Sequence, residues 1–221
     1  MALTIKKADF QQLSTEELDL WSHIPTSIIS DELNRTGTLH SEVRPLQSNF
    51  SFAGQALTVQ CMVGDNAPIH YAMTVAWPGC VMVVDGRGHK DTALFGEILG
   101  EAALAKGVIA VIIDGAVRDS AELRQSDLYV YTRGIVPNGP HKGFGGAINV
   151  PIQCAGVNVS PGDLVVADDD GVVIVSPQSM SGLRARCDAR IASEADRIER
   201  IKAGATTIDL LGFPPPEKIG S

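Results

Sequence analysis

Two apolar runs of strand length, Cys80 to Val84 and Val108 to Ile113, each lead into an Asp-Gly pair, and a stretch rich in small residues, Gly96 to Lys106, lies between them. Short, continuously apolar runs of this kind suit strands buried on both faces. The stretch between them reads as a helix, with Gly107 standing where a C-cap glycine belongs. Strand, helix, strand in this order predicts a parallel crossover unit, and sheets built that way take ligands just past the C-terminal ends of their strands. Two segments therefore fall side by side. One is Gly96-Glu97-Ile98-Leu99, which reads as a helix entrance. The other is Arg118-Asp119, in the loop after the second strand.

Their residue types fit one task. A carboxylate can hold a hard divalent metal, an arginine can clamp a planar carboxylate, and an opening helix offers backbone N–H groups to an oxyanion. Together they suggest metal-assisted chemistry on a 2-oxo acid. Taken singly, Arg-Asp is an ordinary solvated pair and Glu97 an ordinary first-turn acid favoured by the helix dipole; the pairing carries the functional reading. Asn66 and His70 add to it, being four apart and so on one helical face.

The rest of the chain builds around this unit. Residues 15 to 36 read as helical, capped by Ser14 or Thr15 and interrupted at Pro25, with a restart from Thr26 to Leu33. Ala56 to Met62 reads as a strand, and Asp65 as the cap of a helix running to Trp77. Leu128 to Thr132 is a short strand, followed by a Gly/Pro-rich loop from Pro137 to Gly146. Val150 to Val159 and Leu164 to Val175 are strands, broken by Ser160-Pro161-Gly162-Asp163 and Asp168-Asp169-Asp170-Gly171. Gln178 to Lys202 is a long charged helix, and the tail with Pro214-Pro215-Pro216 reads as an extended arm. One α/β domain over residues 1–221 is expected, with N-terminal helices and a C-terminal helix plus tail at 178–221.

Other signals lead away from function. Asp85-Gly86-Arg87-Gly88 lacks the third glycine and the helix of a dinucleotide site, leaving Arg87 as an auxiliary anion contact. Asp168-Asp169-Asp170-Gly171 lacks the later Glu of a calcium loop and reads as a tight turn. His141-Lys142, in the glycine-rich loop, is open to contact with a ligand, but a flexible surface loop is the reading preferred. Cys61, Cys80, Cys154 and Cys187 form no CxxC pair and read as buried thiols in a reducing compartment. With a net charge of −8 and no basic block, nucleic acid is not expected as a ligand. No apolar run is long enough for a membrane span, and no signal core follows the N-terminus, so a cytoplasmic protein is expected.

Across Gly64-Asp65-Asn66, Pro78-Gly79, Val83-Val84-Asp85-Gly86, Gly96-Glu97-Ile98-Leu99, Asp114-Gly115-Ala116-Val117-Arg118-Asp119 and Pro161 to Val172 the chain resembles the RraA-like family. That family includes 4-hydroxy-4-methyl-2-oxoglutarate/4-carboxy-4-hydroxy-2-oxoadipate aldolases and a regulator of ribonuclease E activity. The resemblance implies an α/β fold of the swivelling β/β/α sandwich type, assembled as trimers or hexamers with sites between subunits. It implies that Asp119 holds Mg²⁺ or Mn²⁺, that Arg118 binds the substrate carboxylate or carbonyl, and that the backbone of Gly96 to Leu99 holds the carboxylate end. Glu97 would order a metal-bound water and Glu122 would complete the acidic set. The expected chemistry is cleavage of a 4-hydroxy-2-oxo acid to pyruvate and a second 2-oxo acid through an enolate, with oxaloacetate decarboxylation open to the same site. No lysine lies in the motif, which disfavours a Schiff base. The charged helix 178–202, with its thin stripe of Ile191, Ile198 and Ile201, is expected to dock on a neighbour and lend it Glu194 or Glu199. A binding protein that regulates a ribonuclease is the alternative from another class.

Overall fold

The computed structural model describes residues 3–217. In chain order the elements are β1 (Leu3–Ile5), α1 (Thr15–Ser22), α2 (Thr26–Glu32), β2 (Arg44–Pro45), β3 (Ser51–Cys61), α3 (Ala67–Ala72), β4 (Cys80–Phe95), α4 (Glu97–Leu104), β5 (Ala110–Val117), α5 (Ser120–Gln125), β6 (Tyr129–Ile135), β7 (Gly146–Ile148), β8 (Ile152–Cys154), β9 (Val157–Val159), β10 (Leu164–Asp168), β11 (Gly171–Val175), α6 (Pro177–Met180), α7 (Leu183–Lys202) and α8 (Thr207–Leu211).

The expected crossover unit lies at the centre. Among the described residues, nine strands share one sheet in the order β1-β7-β3-β4-β5-β6-β2, with β10 on the edge of β3 and β11 beyond it. β3, β4, β5 and β6 run parallel. Alternate residues of these strands serve two cores, as a two-residue side-chain period requires. Leu57, Val59, Met82, Val84, Val111 and Ile113 pack under Ile69 of α3, Leu99 of α4 and Leu123 of α5. Ala56, Val81, Val83 and Ile112 face the other way, toward Ile152, Cys154 and Val159 of the separate β8–β9 hairpin. A third core joins Trp21, Ile28 and Ile29 to Val166 and Val173, and is closed by Leu183 and Cys187 at the start of α7. The fold is mixed α/β, as expected, with terminal helices on the β10–β11 end.

Local signals near the N-terminus hold. Ser14 caps α1 in a reciprocal box with Glu17, and the chain breaks at Pro25 before α2. All four cysteines are buried free thiols. Several boundaries differ from expectation. The Asp-Gly pairs do not end their strands: β4 runs through Asp85-Gly86 to Phe95, and β5 through Asp114-Gly115 to Val117. The pairing shifts register between Val84 and His89, where Arg87 and Gly88 take φ of 59° and 67°, so the glycine-rich stretch is a bulge inside a strand. The helix expected up to Trp77 ends at Ala72, and the Thr74 hydroxyl donates back to the Tyr71 carbonyl. The 150–159 strand is a hairpin turning at Ala155-Gly156, and the 178–202 helix is split at Gly182 (φ 68°). The tail holds a short capped helix, α8, where an extended arm was expected. No helix of the described residues is long and apolar enough to cross a membrane.

The bulge in β4 carries a thermodynamic consequence. Asp85 is 7% exposed, and burial, the largest cause, holds its carboxyl above the usual carboxylate range, with the charge of Asp114 adding to it. A raised folded-state pKa favours folding below the unfolded value of about 3.9 and loses that contribution as pH rises through the folded pKa. Asp85→Asn keeps an acceptor for the Arg87 N–H, 3.0 Å away, and removes the buried charge. It is expected to raise Tm at pH 7 by about 2–4 °C, roughly 1 kcal/mol. The gain should shrink as the pH approaches 4. An unchanged or lower Tm at pH 7 in calorimetric melts would refute it.

Candidate active site

Strands β4 and β5 stay paired to their last residues, Phe95 opposite Val117, and the Arg118 N–H donates to the Phe95 carbonyl at 2.9 Å. This brings the α4 entrance and Arg118-Asp119 together at one end of the sheet. Asp119 stands at the N-cap position of α5 in the left-handed conformation (φ 52°, ψ 44°), and its side chain bonds to the start of α4 rather than capping α5. Its Oδ2 accepts from the Glu97 backbone N–H at 3.1 Å and lies 3.6 Å from Arg118 Nε. Gly96 sits directly beneath. A Cβ there would collide with the Asp119 carboxylate and come within 3.0 Å of Arg118 Cγ.

A cavity of about 90 Å³ opens over this junction. The end of β4 supplies Leu94, Phe95 and Gly96, the opening turn of α4 supplies Ile98 and Leu99, and the end of β5 supplies Arg118 and Asp119. At this opening turn the first backbone N–H groups have no intrahelical acceptor. Asn66 and His70 enter from α3, and Pro140 and Lys142 from the loop before β7. Asn66 is 4% exposed; its Nδ2 donates to the Leu94 carbonyl at 2.9 Å, while its Oδ1 is buried with no partner in the protein. A buried acceptor without a partner beside a cavity is one that a ligand or a water can satisfy. Burial, and after it the charge of Lys142, lowers the His70 pKa below the usual histidine value, so its imidazole is neutral at pH 7.

Of the residues expected at the site, Asn66, His70, Gly96, Ile98, Leu99, Arg118 and Asp119 meet around this cavity. Glu97 and Glu122 do not. They line a separate cleft of about 240 Å³ between α4 and α5, with Glu101 and Gln125. Glu97 opens α4, its backbone N–H engages Asp119, and the residue lines the α4–α5 cleft rather than the cavity. Arg87 also lies elsewhere, in a polar cleft with Asp85, Asp114 and Arg133. Lys142, read as part of a surface loop, is a cavity residue. Its signal was its place among glycines, which by itself could not show where the loop folds back.

The donor set bears on a metal. Among the described residues no three His, Cys, Asp or Glu side chains cluster to cage an ion. Asp119 offers one hard carboxylate. Mg²⁺ commonly binds through one or two carboxylates, retaining several waters. The residues present therefore fit a largely hydrated Mg²⁺ or Mn²⁺ and do not fit a fully protein-ligated ion.

Comparison with known proteins bears on the family and the fold. A protein of Halalkalibacterium halodurans described as "Putative 4-hydroxy-4-methyl-2-oxoglutarate aldolase" is 34% identical over 201 residues, covering 86% of this chain and 96% of that one. A solved structure of an uncharacterized protein from Pseudomonas syringae pv. tomato superposes with a TM-score of 0.75 at 26% identity, covering 89% of this chain and 97% of that one. The RNA-processing inhibitor RraA from Thermus thermophilis superposes with a TM-score of 0.63 at 32% identity, covering 68% of this chain and 92% of that one. The RraA-like family description, Aldolase/RraA, matches residues 26–174, more than half of the sequence. The chain belongs to the RraA-like family.

Proposed function

We propose that this protein is a divalent-metal-dependent aldolase that cleaves a 4-hydroxy-2-oxo acid of the 4-hydroxy-4-methyl-2-oxoglutarate or 4-carboxy-4-hydroxy-2-oxoadipate type to pyruvate and a second 2-oxo acid. The observation that carries it is the junction of the α4 entrance, the Arg118 guanidinium and the Asp119 carboxylate around one small cavity. The substrate's C1 carboxylate lies against the N–H groups of Ile98 and Leu99, where the helix dipole favours an anion. Arg118 faces the C2 oxygen. The 4-hydroxyl gives up its proton, the C3–C4 bond breaks, C4 becomes a carbonyl, and the electron pair passes through C3 to the C2 oxygen as an enolate. Arg118 stabilises that growing negative charge, the kind of term that dominates such reactions. A proton returns to C3 and releases pyruvate. His70, which lines the cavity and whose pKa burial lowers, takes the hydroxyl proton. The open Asn66 Oδ1 accepts a hydrogen bond from the substrate. Asp119 would hold Mg²⁺ or Mn²⁺, which supplies Lewis-acid polarisation of the 2-oxo acid oxygens. Decarboxylation of oxaloacetate leads to the same enolate and belongs to the same proposal.

The test couples pyruvate release to lactate dehydrogenase for both hydroxy acids and for oxaloacetate. Activity should vanish in EDTA and return with Mg²⁺ or Mn²⁺. Asp119→Asn, which tolerates the left-handed backbone, should lose metal binding by calorimetry while its circular dichroism stays that of the wild type. Full activity after metal removal, or unchanged metal affinity in the variant, would overturn the reading. Similarity to the Thermus RNA-processing inhibitor favours a second reading, a protein that regulates a ribonuclease by binding it. Inhibition of a ribonuclease by a chain that releases no pyruvate from any of the three acids would establish it. A homotrimer or hexamer is part of the proposal. It is supported by the stripe of Ile191, Ile198 and Ile201 on α7, a face that the described residues leave exposed.

A further inference from the structure

The loop between β6 and β7 forms one wall of the cavity through Pro140 and Lys142, yet it has little of its own to hold it there. Residues 137–144 bury no side chain, and Gly139, Gly143 and Gly145 loosen the backbone. Hydrogen bonds fix its course. The Ala93 N–H donates to the Asn138 carbonyl at 2.8 Å, the Asn66 N–H to the His141 carbonyl at 3.1 Å, and the His141 N–H to the Gly64 carbonyl at 2.8 Å. Asn138 Nδ2 also donates to the Asp91 carbonyl at 3.1 Å, and a further side-chain anchor is Asp65, which is completely buried. Its Oδ1 accepts from the Ala67 N–H at 2.9 Å, at the start of α3. Its Oδ2 accepts from two successive loop N–H groups, Gly143 at 2.5 Å and Phe144 at 2.9 Å. Holding the Ala67 N–H ahead of α3 would need only one acceptor oxygen, which asparagine supplies as well as aspartate. Burying a full carboxylate is costly unless its oxygens are all engaged. The second oxygen, shared by two loop amides, is what the carboxylate adds.

We propose that Asp65 is a positioning residue: it ties the 138–145 loop to the head of α3, and so holds Pro140 and Lys142 as the wall that reads the far end of the substrate. The ligand half of this inference rests on the aldolase reading; the tie itself does not. One oxygen serves the helix that carries Asn66 and His70 and the other serves the loop that carries Lys142, so a single side chain sets the spacing of two cavity walls. The α4 wall, which receives the C1 carboxylate of the 2-oxo acid, is built without it.

The experiment compares the full-length wild type with Asp65→Asn in saturating Mg²⁺. The probes are pyruvate, which has no far end, and 2-oxoglutarate, which has a far carboxylate but no 4-hydroxyl to cleave. Calorimetry should show 2-oxoglutarate weakened at least tenfold and pyruvate by less than threefold. Hydrogen exchange should show the amides of Gly143 and Phe144 losing protection while those of β4 and β5 keep it. Equal weakening of both acids would mean a general structural role and overturn the proposal, as would unchanged exchange at Gly143 and Phe144. If Asp65→Asn does not fold, Lys142→Met tests the same wall from the exposed side and should reproduce the tenfold against threefold split; its absence would also overturn the proposal. If the wild type binds neither acid, the aldolase reading fails, and the tie is decided by the exchange measurement on Asp65→Asn, or on Gly143→Pro, which removes one of the loop donors.

Discussion

Arg118→Lys is expected to lower kcat/KM by about 10²–10³, the cost of one lost charge-stabilising group, about 2.7–4 kcal/mol. The substitution keeps the positive charge and loses the planar fork. A guanidinium offers parallel N–H donors to a carboxylate or enolate, and an ammonium offers a point charge on a flexible stem. In this site the side chain is also steered from two sides. The Asp119 carboxylate lies 3.6 Å from Nε, and Gly139 passes so close that a Cβ on it would fall 2.8 Å from Nη1. A lysine has no groups at either point. Because Arg118 is half exposed and sits past the end of β5, the variant should melt within a few degrees of the wild type. Steady-state pyruvate release together with thermal melts checks this; a kcat/KM within about threefold of wild type, well under 1 kcal/mol, would remove Arg118 from the transition state.

Gly96→Ala is expected to cost activity of similar size by a different route. Gly96 has extended backbone (φ −165°) that any residue adopts, so no conformational strain follows from the change. The added methyl would instead occupy the place of the Asp119 carboxylate and crowd Arg118 Cγ at 3.0 Å. Asp119 must swing away, breaking its bond to the Glu97 N–H. Displacement of a reacting or metal-holding group by about 1 Å can cost about 10²-fold, and a drop of about that size is expected here with secondary structure unchanged. Calorimetric titration with Mn²⁺ gives an independent reading, since affinity should fall along with turnover. Wild-type turnover with wild-type Mn²⁺ affinity would show that the carboxylate has room to spare.

These two positions also show what the sequence could convey. Arg118-Asp119 and Gly96 to Leu99 were recognisable as neighbours because a parallel crossover brings successive strand ends together, and that geometry follows from apolar runs and a small-residue helix alone. Asn66 and His70 were recognisable by their helical spacing, although α3 proved shorter than expected. Side-chain direction was not accessible in the same way. Glu97 lies inside the correct segment, but it lines the cleft shared with Glu122 and meets the site through its backbone N–H on Asp119. For Lys142 the surface-loop reading ranked above ligand contact for the opposite reason. Its position depends on a carboxylate 78 residues earlier in the chain gripping Gly143, and no local pattern records such a bond. The Asp-Gly pairs misled because the same two residues make a turn when the chain leaves a sheet and a bulge when neighbouring strands keep it there.

The pairing of β3 has a consequence for how the chain is made. One edge of β3 meets β4 soon after it in sequence, but the start of its other edge waits for β10, with Gln55 opposite Leu164. At typical synthesis rates of about 5–20 residues per second, that edge stays open for about 5–20 s after it leaves the ribosome. It carries Phe52, Ala53, Gly54 and Ala56, an apolar strand with unpaired backbone groups, the kind of surface on which nascent chains associate. Production of this protein should therefore depend on translation speed and on chaperones that bind extended apolar segments, and truncations that remove β10 should aggregate even though the catalytic junction lies wholly before it.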